Sequence, residues 1–283
     1  MITGAKGMLG TDLCAVLGEE HEIIARDIDD FDVRDLDATM KAVLGASLEA
    51  IVHVAAFTDV EACEERRDWA FQSNALGAMN VAVAAREAGA YLIYVSTDYV
   101  FDGTKREPYL EIDKPAPINF YGLTKLYGEK YVRDLTTKHL VVRTSWLFGP
   151  HGRNFIDNLI AKARSGSRLE VVNDQRGCPT YTLDLAKGIR GALARRLEGI
   201  VHITNTGDTT WFDLAKYALA LAGLGAHVEP VTSGAYPTKA RRPAYSVLGS
   251  LVRAASGIEA LPFWGEGVRH HLERKGIVAK GKM

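Results

Sequence analysis

Short apolar runs alternate with helical stretches through the first half of this chain, and that alternation constrains the fold more than any other feature. Ile23 to Ala25, Ala50 to Val54, Tyr91 to Val95 and Leu140 to Arg143 are compact runs dominated by apolar and β-branched residues. Such runs, lacking a polar alternate face, read as strands buried on both sides. Met8 to Leu17, Thr39 to Leu44, Trp69 to Ala88 and Tyr121 to Leu135 lie among them with helical periodicity. Strand, helix, strand in repetition closes as a parallel sheet with right-handed crossovers and helices on both faces. The fold class expected is therefore α/β and doubly wound.

The first strand-to-helix junction carries three glycines, Gly4, Gly7 and Gly10, with Met8 and Leu9 in the first helical turn. This spacing is a variant of the dinucleotide fingerprint of a Rossmann sheet. Glycine lets the backbone approach a pyrophosphate, whose charge meets the helix N-terminus. Asp27 follows the second strand, where an acidic residue accepts bonds from ribose hydroxyls. Its neighbour Arg26 suits a 2′-phosphate instead, so NADH and NADPH both stay open. Asp32 and Val33 are placed to meet the adenine edge. Ala55 and Ala56 leave room for the cofactor backbone at the end of the third strand. Only Met1, Ile2 and Thr3 precede Gly4, whereas a central strand runs ~5–6 residues. The expectation is that the natural protein begins a few residues earlier.

A second group of residues carries chemistry. Ser96-Thr97-Asp98 ends the run from Tyr91, and Tyr121 stands four residues before Lys125, on one helix face. A free phenol titrates near ~10, and lowering that by ~3 units takes ~4 kcal/mol of differential stabilisation. A lysine ammonium one turn away, with a cationic nicotinamide ring, is expected to supply it. Thr97 would hydrogen-bond a carbonyl oxygen and hold it beside Tyr121, with Ser96 a structural hydroxyl. Together with the glycine loop these residues describe hydride transfer to or from a carbonyl.

After Gly149-Pro150 the pattern changes. Asn154 to Arg164 is helical, Leu169 to Val172 is a short strand, Thr182 to Arg196 is a long helix, and Ile200 to Thr204 could rejoin the sheet. The stretch from Thr232 to Arg253 is rich in turns. At 283 residues the chain nears the upper size for one core. The reading assigns residues 1–148 and 181–204 to a dinucleotide-binding Rossmann domain, and 149–180 and 205–283 to a smaller, discontinuous substrate lobe.

A formal charge of -1 gives no electrostatic case for nucleic acid. No apolar run is long enough to span a membrane, and no leader opens the sequence, so a cytoplasmic location is expected. Cys14, Cys63 and Cys178 are widely spaced, which fits reduced thiols. His270 and His271 read as a charged face of a C-terminal helix rather than a metal site.

These segments resemble the extended short-chain dehydrogenase/reductases, and more narrowly the dTDP-4-dehydrorhamnose reductase family. The likeness runs through Gly4 to Gly10, Ala55 to Thr58, Ser96 to Phe101, Tyr121 to Lys125, Arg143 to Trp146, Asn154-Phe155, Asn173 to Thr180 and Arg242-Pro243. It implies Thr97, Tyr121 and Lys125 as the catalytic set, with Tyr121 and Lys125 also on the cofactor. It places Thr58, Tyr99 and Trp146 in a sugar site, and Asn154, Gln175 and Arg242 near the sugar or its diphosphate. The activity implied is NAD(P)H-dependent reduction of a deoxy nucleotide sugar at its 4-keto group, foremost dTDP-4-dehydro-L-rhamnose to dTDP-L-rhamnose. A homodimer, with Mg2+ at the dimer contact of some relatives, is implied as well, although no ligand cluster in the sequence places a metal. Phe57, Asp59 and Tyr245 depart from the usual pattern. Dehydratases of the superfamily place an acidic pair after the threonine, whereas here Thr97 is followed by Asp98 and then Tyr99, which argues against dehydration. Two alternatives stay open: a nucleotide-sugar epimerase, and a non-catalytic subunit resembling the regulatory subunit of methionine adenosyltransferase.

Overall fold

The computed structural model describes residues 1–235 and 238–278. Tyr236 and Pro237, within the turn-rich 232–253 stretch, and residues 279–283 of the lobe lie outside the described residues. Five strands come from the first half: β1 (Ile2–Thr3), β2 (Ala25–Arg26), β3 (Ala50–His53), β4 (Tyr91–Thr97) and β5 (His139–Thr144). With the Gly199–His202 strand they form one six-stranded sheet, ordered Gly199–His202, β5, β4, β3, β1, β2, and every pairing is parallel. The strand order reverses at β1, between β3 and β2, and the crevice of such a sheet opens at that point.

The pleat explains why both faces are apolar. Ile93 and Val95 point into one core with Leu9, Leu13, Leu185 and Ile189. Leu92 and Tyr94 point into the other with Val43, Val81, Ala82 and Val132. Alternate residues thus meet different helices. Helix α1 (Met8–Leu17) and the Thr182–Ala194 helix cover the first face. The Leu36–Leu44, Gly77–Glu87 and Phe120–Leu135 helices cover the second. β1 is short, and the chain before it joins the ladder: Val52 N–H donates to the Met1 carbonyl at 2.9 Å.

The helix expected over Trp69 to Ala88 is interrupted. It begins as Arg67–Phe71, passes through a π-helical turn at Gln72–Leu76, and continues as Gly77–Glu87. A Cβ on Gly77 would lie 2.9 Å from Val33. The widened turn carries Asn74, whose amide bonds the Phe57 backbone on both sides, at 2.7 Å and 3.0 Å. It therefore holds the loop after β3, and π turns recur at such positions.

Beyond Gly149 a separate core forms from Phe148, Ile156, Leu159, Leu169, Tyr181, Leu214, Trp264, Val268 and Leu272. Its helices are Phe155–Arg164, Trp211–Leu221 and Trp264–Arg274, beside a parallel strand pair, Leu169–Val172 with Val228–Val231. One expectation is corrected here: His271 is on no charged face. It is fully buried and bonds Asp157 Oδ1 at 2.8 Å, while His270 is exposed.

Candidate active site

A cleft of about 820 Å³ opens along the crevice, lined from the glycine loop to Trp146 and Trp211. At its floor Gly4 has φ +76°, and a Cβ there would sit 2.7 Å from the Ala55 backbone. A Cβ on Gly10 would overlap the Gly4 carbonyl. Gly7 caps α1 without any side-chain bond, so the helix N-terminus faces the cleft bare. Positive φ at Gly4, and close backbone contact at Gly4 and Gly10, make glycine a requirement at those two positions. The same absence of side chains forms a cradle for a pyrophosphate. Met8, Leu9, Val33, Ala55 and Ala56 line the cleft beside them.

Asp27 and Asp32 also line it, but each is already engaged. Asp27 accepts the Lys6 and Ile28 amides, both at 2.8 Å. It therefore fastens the glycine loop to the end of β2. Asp32 accepts Arg34 Nε on both oxygens, at 3.0 Å and 2.9 Å, and Arg34 holds its carboxyl below the usual carboxylate range. The Arg34 guanidinium lies 3.5 Å from the centre of the Trp69 ring.

Thr97, Tyr121 and Lys125 meet where β4 ends above the Phe120–Leu135 helix. Asn119 caps that helix by accepting the Gly122 amide at 2.8 Å. Tyr121 and Thr97 line the cleft together at this point. Lys125 is buried, with Nζ 4.2 Å from the centre of the Tyr94 ring. Burial lowers its pKa to about 7, against the pull of Glu129. Glu129 stands one turn further along the helix and pairs with Arg143 at 2.7 Å, both side chains 1% exposed. Ser96 Oγ donates to Glu129 at 2.6 Å.

The lowered phenol is expected from Lys125 acting together with a cationic nicotinamide ring; the protein's own groups act in the other direction. Burial raises Tyr121 above the ordinary tyrosine value and the Asp98 charge adds to it, with the neighbouring Thr97 hydroxyl opposing.

Trp146 sits at φ +47°, rare for a non-glycine residue. Its indole stacks on Trp211 at 3.7 Å and 6°. Gly177 admits it, since a Cβ there would lie 2.5 Å from the indole.

The RmlD substrate binding domain family matches residues 1–276. The chain belongs to this family. The dTDP-4-keto-6-deoxy-D-glucose reductase of Streptomyces niveus is 38% identical over 93% of each chain. The dTDP-4-dehydrorhamnose reductase of Escherichia coli K12 is 36% identical over 96% of each. A crystal structure of dTDP-4-dehydrorhamnose reductase from Bacillus anthracis in complex with NADP superposes with a TM-score of 0.94. It is 39% identical, over 96% of this chain and 98% of that one.

Within this RmlD-family chain the residues expected at a sugar site separate into two groups. Thr58, Tyr99 and Trp146 line the cleft. Asn154, Gln175 and Arg242 are absent from its lining, and each has another partner. Asn154 caps the Phe155–Arg164 helix through the Asp157 amide at 2.9 Å and holds the Gly149 carbonyl at 2.9 Å. Gln175 donates to Ser233 Oγ at 2.8 Å. Arg242 pairs with Glu61 at 2.7 Å, and its charge lowers the Tyr99 phenol against the larger effect of burial, so it stands behind the cleft wall. Asp59, one of the departures, caps the Val60–Glu65 helix through the Ala62 amide at 3.0 Å. Among the described residues no group of three His, Cys, Asp or Glu side chains could hold a metal. Sequence reading missed Lys6, Phe31, Arg34, Trp69, Arg153 and Trp211 as lining residues. Trp211 carries no local signal, because its partner lies 65 positions away by number and only folding joins them.

Proposed function

We propose that this protein reduces the 4-keto group of dTDP-4-dehydro-L-rhamnose to give dTDP-L-rhamnose, with NADH or NADPH as reductant. One observation carries the reading: Thr97, Tyr121 and Lys125 line the same cleft as the bare glycine cradle at the strand-order reversal. The relatives named for this reaction support it.

The cofactor lies along Gly4 to Gly10, with Asp32 and Val33 at its adenine end and Ala55 and Ala56 along its backbone. Asp27, Lys6 and Arg26 bring both signs of charge to the ribose end, which accommodates either cofactor. Residues 1–148 and 181–204 form this half, and 149–180 with the described residues of 205–278 form the sugar side. When bound, the reduced nicotinamide supplies a hydride to the carbonyl carbon. Tyr121 gives its phenolic proton to the carbonyl oxygen as charge develops there. Thr97 holds that oxygen beside the phenol. Lys125 stabilises the tyrosinate left behind, an effect that grows as the cleft excludes water. Thr58, Tyr99 and Trp146 shape the sugar pocket.

The test is to follow oxidation of NADH and NADPH at saturating dTDP-4-dehydro-rhamnose and to identify the product sugar. dTDP-L-rhamnose is the expected product. Unchanged cofactor in both reactions, or a product epimerised without net reduction, overturns the reading.

A further inference from the structure

One buried carboxylate of the cleft has no part in that scheme. Asp98 directly follows Thr97 and is 2% exposed. Thr97 Oγ1 donates to its Oδ1 at 3.0 Å. The hydroxyls of Ser145, after β5, and of Ser246, from the sugar side, also stabilise its charge. Its Oδ2 has no hydrogen-bond partner of good geometry among the described residues. The titratable groups that feel it are Tyr99 beyond the strand end, Tyr121 on the helix, and Cys178 in the lobe. Its charge raises the pKa of all three.

Thr97 has a single hydroxyl proton. Its oxygen already accepts the Tyr99 amide at 3.1 Å. The proton therefore goes either to Asp98 Oδ1 or to a substrate carbonyl, not to both. An ionised carboxylate is the stronger acceptor, so a charged Asp98 keeps the proton turned inward. A neutral Asp98 carrying its proton on Oδ2 leaves Oδ1 a weaker acceptor and frees the hydroxyl to turn outward.

We propose that Asp98 is a positioning residue: its charge sets whether the Thr97 hydroxyl points inward or donates to the sugar carbonyl. It acts through Thr97 and touches no reacting atom. The proton consumed in reduction still comes from Tyr121, so neither Asp98 nor Thr97 changes its proton count in the step. The proposal rests on the reductase reading. Burial lifts Asp98 to about 6, so the switch falls within a range that kinetics reaches.

The experiment measures kcat across about pH 5 to 9 at saturating cofactor and dTDP-4-dehydro-rhamnose. The proteins are wild type, Asp98→Asn and Ser246→Ala, with cofactor affinity followed in parallel by fluorescence titration. Wild type should lose about 100- to 1,000-fold in kcat as Asp98 ionises, the worth of one donor to a developing oxyanion. Asp98→Asn should keep turnover and lose that limb, while any limb belonging to Lys125 remains. Ser246→Ala removes a hydroxyl that favours the charged form, so its limb should move up by roughly half a unit to one unit. Cofactor affinity should stay within about threefold throughout. An Asp98→Asn protein with the wild-type limb, or one that binds cofactor but is inactive at every pH, overturns the proposal. If Asp98→Asn does not fold, the Ser246→Ala limb decides alone, and an unmoved limb overturns it. Wild type that oxidises no cofactor with this sugar overturns the reductase reading and this proposal with it; active wild type with unaltered variants overturns this proposal only.

Discussion

Trp146 and Trp211 lie face to face, ring centroids 3.7 Å apart and planes 6° from parallel. Trp146 adopts φ +47° to get there, a conformation that costs a non-glycine residue roughly 1–2 kcal/mol. An aromatic stack contributes ~0.5–1.5 kcal/mol beyond its buried area, enough to offset most of that cost. Phe155 flanks Trp211 at 4.8 Å, so the pair forms a fixed wall where the cleft meets the sugar side.

Trp146→Ala should therefore raise the sugar KM by about tenfold, or about 1.4 kcal/mol, and leave cofactor affinity unchanged. Trp211→Ala should have a smaller effect in the same direction, because it loosens Trp146 without removing it. Near-ultraviolet and far-ultraviolet circular dichroism should lose the coupled indole signal in both. A sugar KM equal to wild type in Trp146→Ala would remove this residue from the pocket.

Tyr121→Phe deletes the proton donor and keeps the ring. Turnover should fall by about 10³-fold or more, in line with loss of a positioned acid. Cofactor binding, measured by fluorescence titration, should hold within about threefold. Turnover near the wild-type rate would exclude Tyr121 as the donor.

Lys125 links function to stability with a definite sign. Its folded pKa is about 7 against an ordinary value of 10.5. Below about 7 both folded and unfolded chains hold the proton, so folding bears the whole cost of burying the charge. Between those two values only the unfolded chain holds it, and the wild-type fold gains stability as pH rises. Lys125→Met should thus be more stable than wild type near neutral pH, by on the order of 1–3 kcal/mol. The gap should close toward pH ~10, and the variant should not turn over. Urea melts of the unliganded proteins at several pH values read this out; a gap that widens with pH contradicts it.

Glu129 and Arg143 are buried together, and the pair also holds Ser96 and approaches His202 Nε2 at 3.4 Å. Glu129→Gln leaves the guanidinium uncompensated and should cost about 3–5 kcal/mol. For a chain of this size that is a Tm drop of roughly 2–4 °C per kcal/mol. The double variant Glu129→Leu with Arg143→Met should recover much of the loss, since no buried charge remains unpaired. Calorimetry of the three proteins compares them directly.

Gly10→Ala tests the cradle. Its Cβ would overlap the Gly4 carbonyl, and relieving that by backbone shift costs about 3 kcal/mol. Cofactor affinity should fall by about 100-fold, visible by calorimetric titration. Wild-type affinity in a folded Gly10→Ala protein would place the cofactor elsewhere.

Much of this protein was legible along the chain because the determining forces act within a few residues. Unbroken apolar runs marked β3, β4 and β5. Four-residue spacing put Tyr121 and Lys125 on one helix face, and the glycine spacing marked a turn that tolerates no side chain. Tertiary structure decided the rest. Packing gives Asn154 the Asp157 amide and the Gly149 carbonyl, and gives Gln175 the Ser233 hydroxyl, partners that spacing along the chain does not reveal. Arg242 met Glu61. In the protein alone Tyr121 is raised, because desolvation depends on everything packed around it. Trp211 entered the cleft only through its stack on Trp146. Local spacing carries backbone conformation; burial, ion pairing and long-range stacking exist only once distant segments share a volume.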